Sequence, residues 1–517
     1  MSFFIDNHIT ISRLISWHAS WREAEPAIIF NHKQTSWLEL HLRTNQLANV
    51  LLDKGLNKGQ RVVILMENSA SMLIAMFATL KAGLSVVPIN LNISDETLFA
   101  QVNDAKASAI IASEQQAQRI NSQLNAFSTL QTFLKFSSSD EQDNWQSLNS
   151  LLVNASMESP SVTINRDDEC IVIYSSGTTG IPKGIVHNHG ARLDWAYDLS
   201  IALKFHSGAT TICSLGLYSN ISWVSMLTSL LTGGKLIIQE KFSAEEFIQL
   251  VDRYQVTHCA GVPIQYQRVF DNKHFSPKKV RSLTMLMCCG SAMSDSLKRL
   301  IGEHLECDLI ELYGLTEGVI TTLAPEYRKR KPNSVGKPLP GLELAILSDE
   351  DKMLDNHEPG EIISRGRTMM VGYLNRADAD KSASWQDIQG KVWFRTGDIG
   401  KIDKDGFLYL VDRKKDMIIS GGQNIYPQDL EKILLQHNAI DEAAVIGVTS
   451  EKWGETPLAL VVSKVSLDLS LLCDWANKQL GRQQKIAKVE QVTSLPRNPN
   501  GKLEKKKIRD SYAHYQL

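Results

Sequence analysis

Short apolar runs alternate with helix-spaced apolar positions along most of the chain. Residues 27–30 and 34–37 read as a short hairpin, and residues 38–54 carry apolar side chains at helical spacing. The pattern then predicts a strand at 61–66, a helix at 69–82, a strand at 85–88, a helix at 95–104 and a strand at 108–112. Such alternation argues for a parallel sheet with helices on both faces. Residues 136–168 are rich in Ser, Asn, Asp and Gln and read as a connection with one short helix near 145–152. A strand at 169–174 leads into a loop of Ser, Thr and Gly, and the β/α alternation resumes from Ala191 to Pro325. Strands are expected there at 210–214, 235–238, 258–261, 284–288 and 308–313, with helices such as 244–254 and 295–303 between them.

Past Asn333 the pattern changes. Gly and Pro become frequent, and short strands at 343–348 and 360–365 suggest a small barrel-like piece. Asp412, Arg413, Lys414, Lys415 and Asp416 follow as an unbroken charge run, which by itself reads as a solvated face. A compact unit starts directly after it, with a helix at 429–437, strands at 443–448 and 458–463, and a helix at 469–480. The expected division is therefore 1–412 and 413–517. No internal repeat or low-complexity tract interrupts this order.

Composition narrows the function classes. The 517 residues are 43% apolar and 22% charged, with 55 Lys plus Arg against 57 Asp plus Glu, a formal net charge of -2. That balance excludes a strongly basic nucleic-acid coat and an acidic solvating chain, and no nucleic-acid partner is expected. The seven cysteines are odd in number and form no CxxC spacing. They read as buried free thiols in a reducing compartment, including the adjacent pair Cys288 and Cys289. The longest apolar run considered, 72–80, spans nine residues and contains Thr79, short of the roughly 18 a membrane span needs. The first residues show no basic region followed by an apolar one, and the last four are no organelle address, so a cytoplasmic protein is expected.

The strongest local signal runs from Tyr174 to Gly184: Ser175, Ser176, Gly177, Thr178, Thr179, Gly180, Ile181, Pro182 and Lys183 lie between, directly after an apolar strand. Glycines let the backbone turn and approach a ligand, and successive amide groups in such a turn form an anion nest. Hydroxyls and one ammonium add donors for phosphate oxygens. A plain glycine-rich surface loop is the alternative; the ordered hydroxyls, glycines and Pro-Lys-Gly favour phosphate. It is not a Walker loop, because the second glycine that motif requires falls on Pro182.

This loop resembles the signature of the adenylate-forming (AMP-binding) superfamily, in its acyl-CoA and aryl-CoA synthetase branch. Tyr313-Gly314-Leu315-Thr316-Glu317, Tyr373-Leu374-Asn375, Arg395-Thr396-Gly397-Asp398, the segment from Asp412 to Gly422, and Pro496 to Lys502 resemble its later motifs, in order, over nearly the whole chain. The resemblance implies an α/β fold. Its large N-terminal domain has two β/α subdomains plus a small β-barrel-like subdomain, and a small mobile α+β C-terminal domain follows. It implies an ATP-dependent carboxylic acid–CoA ligase acting through an acyl-adenylate, with Mg²⁺ and coenzyme A. A stand-alone enzyme loading a carrier-protein phosphopantetheine is the alternative, and a homodimer is a further expectation.

The resemblance also assigns residues. Thr178, Thr179 and Lys183 handle the outer phosphates, with Ser175, Ser176, Gly177 and Gly180 in the same loop. Glu317 holds Mg²⁺, Thr316 the α-phosphate region and Tyr313 the adenine. Gly290, Ser291, Ala292, Glu311, Leu312 and Gly314 complete the nucleotide site, and Asp398 and Arg413 take the ribose. Lys502, with Thr178 and Glu317, is catalytic in adenylation. Its alternative reading is a basic tail with Lys505–Lys507, which the stiff Pro-Arg-Asn-Pro-Asn-Gly lead-in argues against. Lys415 is the hinge, Gly421 and Gly422 line the pantetheine channel, and Trp453 meets the CoA nucleotide, with a plain core or surface tryptophan as the other reading. Tyr218, Ser219, Asn220, Ala260, Cys289 and Gly314 form the acyl pocket. Many acyl- and aryl-CoA ligases carry His where this chain has Ser219, and amino-acid-activating domains carry Asp near Asn220. The uncharged Asn disfavours an α-amino acid, and the small residues leave room for a medium acyl or aryl group.

Overall fold

The computed structural model describes residues 10–127, 129–136, 145–175, 183–355, 357–420, 423–480, 484–497 and 502–517. By contacts the chain forms two compact units: 1–327 with 338–342 and 365–382, and 328–337 with 343–364 and 383–517.

The first unit holds two α/β sheets. In one, strands run in the order Ile320–Leu323, Asp308–Gly314, Met285–Cys288, His258–Gly261, Thr210–Cys213, Lys235–Ile238, Pro26–Phe30 and Lys33–Ser36. In the other the order is Gly372–Tyr373, Lys183–Asn188, Glu169–Ser175, Ser85–Pro88, Arg61–Leu65, Ala109–Ser113, Thr132–Phe136 and Gln146–Ser147. The central strands of both pair in parallel. They are buried on both faces, which is why they read as unbroken apolar runs.

Caps set the helix starts. In Ala244–Tyr254 the Ser243 side chain accepts from Glu246 N, acidic residues fill the first turn, and Phe247, Ile248, Leu250 and Val251 are buried. The helix expected at 69–82 begins at Ala70 because Ser69 serves as its N-cap. Among the elements that escaped the periodicity are the helices Ile11–Trp21 and Glu114–Ile120, the strand Thr132–Phe136, and the strand Lys183–Asn188, which pairs antiparallel with Glu169–Ser175.

The second unit begins with short antiparallel strands. Val392–Ile402 pairs with Gly360–Gly366, Ser384–Gln386 and Leu408–Arg413, matching the expected change of character. Its C-terminal part is a sheet in the order Gln423–Ile425, Ile418–Ser420, Gly454–Val462, Glu442–Ser450, with Lys488–Gln491 parallel to Gly454–Val462. The helix expected at 429–437 runs from Pro427 to Leu434, because proline is favoured at the first helical position. The segment that also reads as a basic tail is the helix Lys505–Ser511, with Ile508 buried. None of the seven cysteines is in a disulfide, and five of them are buried. Among the described residues no helix is long and apolar enough to cross a membrane.

Candidate active site

In an open α/β sheet, ligands bind beyond the carboxyl ends of the strands, where loops converge. Thr210–Cys213 is followed by Tyr218–Asn220, and Ala260 sits one residue before the end of His258–Gly261. Met285–Cys288 is followed by Cys289, Gly290, Ser291 and Ala292, and Asp308–Gly314 contains Glu311, Leu312 and Tyr313. These strands are neighbours and pair in parallel, so the fold gathers those expected site residues at one sheet edge. Gly290, Ser291, Ala292 and Gly314 are exposed there, and Tyr313, Thr316 and Glu317 are half-buried. Gly290 has φ +87°, a left-handed turn that suits glycine. Glu311 is engaged by Lys298 at 2.9 Å.

The second sheet contributes the ends of the glycine-rich loop. Ser175 and Lys183 are register partners, so strand pairing brings the loop's two ends together. Ser176, Gly177, Thr178, Thr179 and Gly180 lie outside the described residues, as do Gly421 and Gly422. Lys183 Nζ stands 4.8 Å from the centre of the Tyr373 ring. The Tyr373 hydroxyl donates to Glu317 Oε1 at 2.8 Å. Tyr373 is itself fixed by pairing of Gly372–Tyr373 with Lys183–Asn188 and by its amide on Asp380 Oδ1 at 2.8 Å. Burial, then the Glu317 charge, holds its phenol protonated far above the ordinary range. Lys183, Tyr373 and Glu317 thus form one chain of contacts. The sequence named Tyr373 only as part of a motif; its role as the tie on Glu317 needed the side-chain geometry.

Two more residues escaped the sequence reading. Gly318 has φ +112°, and a Cβ there would meet Thr368 O at 2.3 Å. The neighbouring Glu317 O accepts from Met370 N at 2.7 Å, so the turn that carries Glu317 is stitched to residues 368–370. A Cβ on Gly216 would meet the Tyr218 ring at 2.1 Å, so that glycine makes room for Tyr218.

Magnesium can be tested against this donor set. No group of three or more His, Cys, Asp or Glu able to hold a metal occurs among the described residues. A single half-buried carboxylate at Glu317 fits Mg²⁺, which takes one or two protein carboxylates and fills the rest of its octahedron with phosphate oxygens and water.

The second unit assembles another group. Asp398 and Arg413 are cross-strand partners, and Arg413 Nε reaches Asp398 Oδ1 at 3.3 Å. Asp398 is 6% exposed. Lys502 lies within the field of Arg413, Asp398, Lys415 and Asp416; burial, then the Arg413 charge, lowers its ammonium to about 8. Lys415 is exposed at the surface, yet partial desolvation by its surroundings lowers its ammonium. Asp416 is paired with Arg509 of the last helix. The expected ribose pair, the expected hinge and Lys502 therefore share one electrostatic neighbourhood. Trp453 stands apart: it is 49% exposed, with Lys452 Nζ over its ring.

The expected acyl residues line the start of the Asn220–Thr232 helix and the strands beside it. Ser219 is the N-cap and accepts from Ile221 N at 3.3 Å. Asn220 Oδ1 accepts from Arg192 Nη1 at 2.8 Å. Ala260 and Cys289 are buried, and burial pushes the Cys289 thiol up to about 12, so it is an inert wall. Tyr218 is half-buried, and desolvation raises its phenol.

Comparison with known proteins agrees with this arrangement. Residues 15–374 match the family described as AMP-binding enzyme, and residues 429–502 match the AMP-binding enzyme C-terminal domain. The chain is 29% identical over 485 residues to a 2-succinylbenzoate–CoA ligase of Bacillus pumilus, covering 93% of this chain and 94% of that protein. It is 29% identical over 488 residues to the long-chain-fatty-acid–CoA ligase FadD13 of Mycobacterium tuberculosis, covering 92% and 93%. The structure of o-succinylbenzoate CoA synthetase (MenE) from Bacillus subtilis in complex with the acyl-adenylate intermediate OSB-AMP matches with TM-score 0.83 at 26% identity, covering 96% and 98%.

Proposed function

The chain belongs to the AMP-binding enzyme family, matched over residues 15–374, and on that premise we propose that it is an ATP-dependent carboxylic acid–CoA ligase. The acid's carboxylate attacks the α-phosphorus of ATP, pyrophosphate leaves, and an acyl-adenylate forms. The thiolate of CoA then attacks the acyl carbon, releasing AMP and giving the thioester. A free carboxylate is a poor electrophile, and adenylation gives it a good leaving group. The first step brings two anions together, so the protein's task is charge neutralisation and positioning.

Lys183 and the loop 176–180 neutralise the outer phosphates. Glu317, held by Tyr373, takes Mg²⁺, which when bound offsets phosphate charge. Asp398 accepts from the ribose hydroxyls, and Arg413 fixes Asp398. Lys502 bridges the substrate carboxylate and the α-phosphate as a compact point charge. We place the domain boundary at 412/413, with 413–517 turning about Lys415 between the half-reactions. Lys502 then gives way to Gly421 and Gly422 for the pantetheine arm, and Trp453 meets the CoA nucleotide. Coenzyme A is the thiol acceptor; a carrier-protein phosphopantetheine presents the same group, and assay with each thiol separates them. The chain works in the cytoplasm.

The observation that carries this reading is the gathering of Lys502, Asp398 and Arg413 in one neighbourhood. Replacing Lys502 with Ala should lower acid-dependent pyrophosphate exchange by about 100- to 1000-fold, the worth of one preorganised charge contact. Thioester formation from supplied acyl-adenylate should survive. Equal loss of both half-reactions would refute the assignment. The acid panel should span aromatic, dicarboxylic and fatty acids, since the relatives named above act on 2-succinylbenzoate and on long-chain fatty acids.

A further inference from the structure

The acid pocket adjoins a charge that the reaction above does not use. Arg192, in the His189–Ala202 helix, is 1% exposed, one of the largest fully buried side chains of the protein. Its Nη1 donates to Asn220, and its Nε and Nη2 have no acceptor among the described residues. The guanidinium lies 5.1 Å from the Trp195 ring and 6.0 Å from the Trp223 ring. Among the described residues no carboxylate compensates it. The acidic residues of the same helix are engaged elsewhere, Asp194 by Arg166 and Asp198 by Arg367. The titratable groups that share its field are neutral: burial pushes the Cys170 thiol up to about 12 and holds His187 well below its ordinary value.

A buried arginine that serves only packing is normally matched by a carboxylate, because an unpaired charge in a low dielectric is costly. Two aromatic faces offset only part of that cost. The planar fork of a guanidinium suits a carboxylate in two-point contact. The bond to Asn220 also has a direction. It ties up the carboxamide oxygen, which leaves the amide nitrogen as the donor side. Asn220, half-buried, therefore offers its amide nitrogen, and the guanidinium behind it supplies positive potential and two donors without acceptors among the described residues.

We infer that Arg192 and Asn220 form an anion-recognition subsite of the acid pocket, and that the substrate is a dicarboxylic acid whose second carboxylate is received there. This rests on the acid–CoA ligase reading and on Asn220 lining the acid pocket. The same charge repels an ammonium group, so α-amino acids are rejected.

Pyrophosphate exchange with succinate, glutarate, adipate and phthalate, each against butanoate, pentanoate, hexanoate or benzoate of matched size, tests this in the full chain. The wild type should show its highest kcat/KM with a diacid. In Arg192→Met the ratio of diacid to matched monoacid should fall roughly 100-fold, mainly through the KM of the acid, with the KM of ATP unchanged. Asn220→Asp keeps the test decisive if the first variant does not fold, since a carboxylate there satisfies the guanidinium and repels the substrate's anion; the same fall is expected. A monocarboxylic acid as best substrate, or a ratio equal in wild type and variants, overturns the subsite and leaves the ligase reading standing. Exchange at background for every acid overturns both.

Discussion

Tyr373 shows how one side chain links two motifs that lie far apart in sequence. Its hydroxyl holds Glu317 and its ring face carries Lys183. Removing the hydroxyl leaves the ring and the backbone pairing in place, so the effect is confined to one hydrogen bond to a charged group. Such a bond is worth about 1.5–3 kcal/mol. Tyr373→Phe should therefore lower adenylation roughly 10- to 100-fold and raise the Mg²⁺ concentration needed for half-maximal rate. Melting temperature should barely move. A variant with wild-type magnesium dependence would show that the bond positions nothing.

At the scale of elements, the turn after the Asp308–Gly314 strand is the most constrained. Gly318 has a left-handed φ, and its neighbour is the backbone of Thr368 and Met369, which cannot step aside as a flexible side chain would. Gly318→Ala should cost roughly 2–4 kcal/mol in urea unfolding and lower adenylation with it, because the same turn aims Glu317. Unchanged stability would mean that the 368–370 segment yields easily. None of this was legible in the sequence, where Gly318 is one glycine among 31. What was legible follows a rule. The strands Ser85–Pro88, Lys235–Ile238 and His258–Gly261 fall where the apolar runs placed them, because all or nearly all of their residues are buried on both sheet faces. The motif residues were legible too, since chemistry fixes their order. Arg192 was not: an arginine in a helix reads as solvent-facing until the Trp195 and Trp223 rings are seen around it. The Ile11–Trp21 helix was missed although Ile11, Leu14 and Ile15 fall at helical spacing, because Ser and His break the apolar run.

Over the whole molecule, buried titratable groups make the two compact units respond differently to acid. The first unit buries His187, His189 and His258, which are 1%, 1% and 2% exposed. Desolvation leads in each case, holding His187 well below 6.5 and lowering His189 and His258 to about 4. The unfolded chain binds these protons near pH 6.5 and the folded one does not. Their contribution is whole above pH 6.5 and is lost as pH falls toward 4, at roughly 1.4 kcal/mol per pH unit for each proton. The second unit has the opposite sign at Asp412, whose carboxyl desolvation raises to about 6. There the folded state binds a proton first, and stability grows as pH falls from about 6 toward 3.8. Hydrogen exchange followed from pH 6.5 to 4.5 should show the first unit losing protection much faster than the second. His189→Leu should blunt that loss, because among the described residues both ring nitrogens of His189 are buried without a hydrogen-bond partner, and burial outweighs the favourable charge of Asp168. The wild type should differ from it most at the acid end of that range and least above about pH 7. Parallel loss of protection in both units would mean that their folding is coupled strongly enough to hide the histidines.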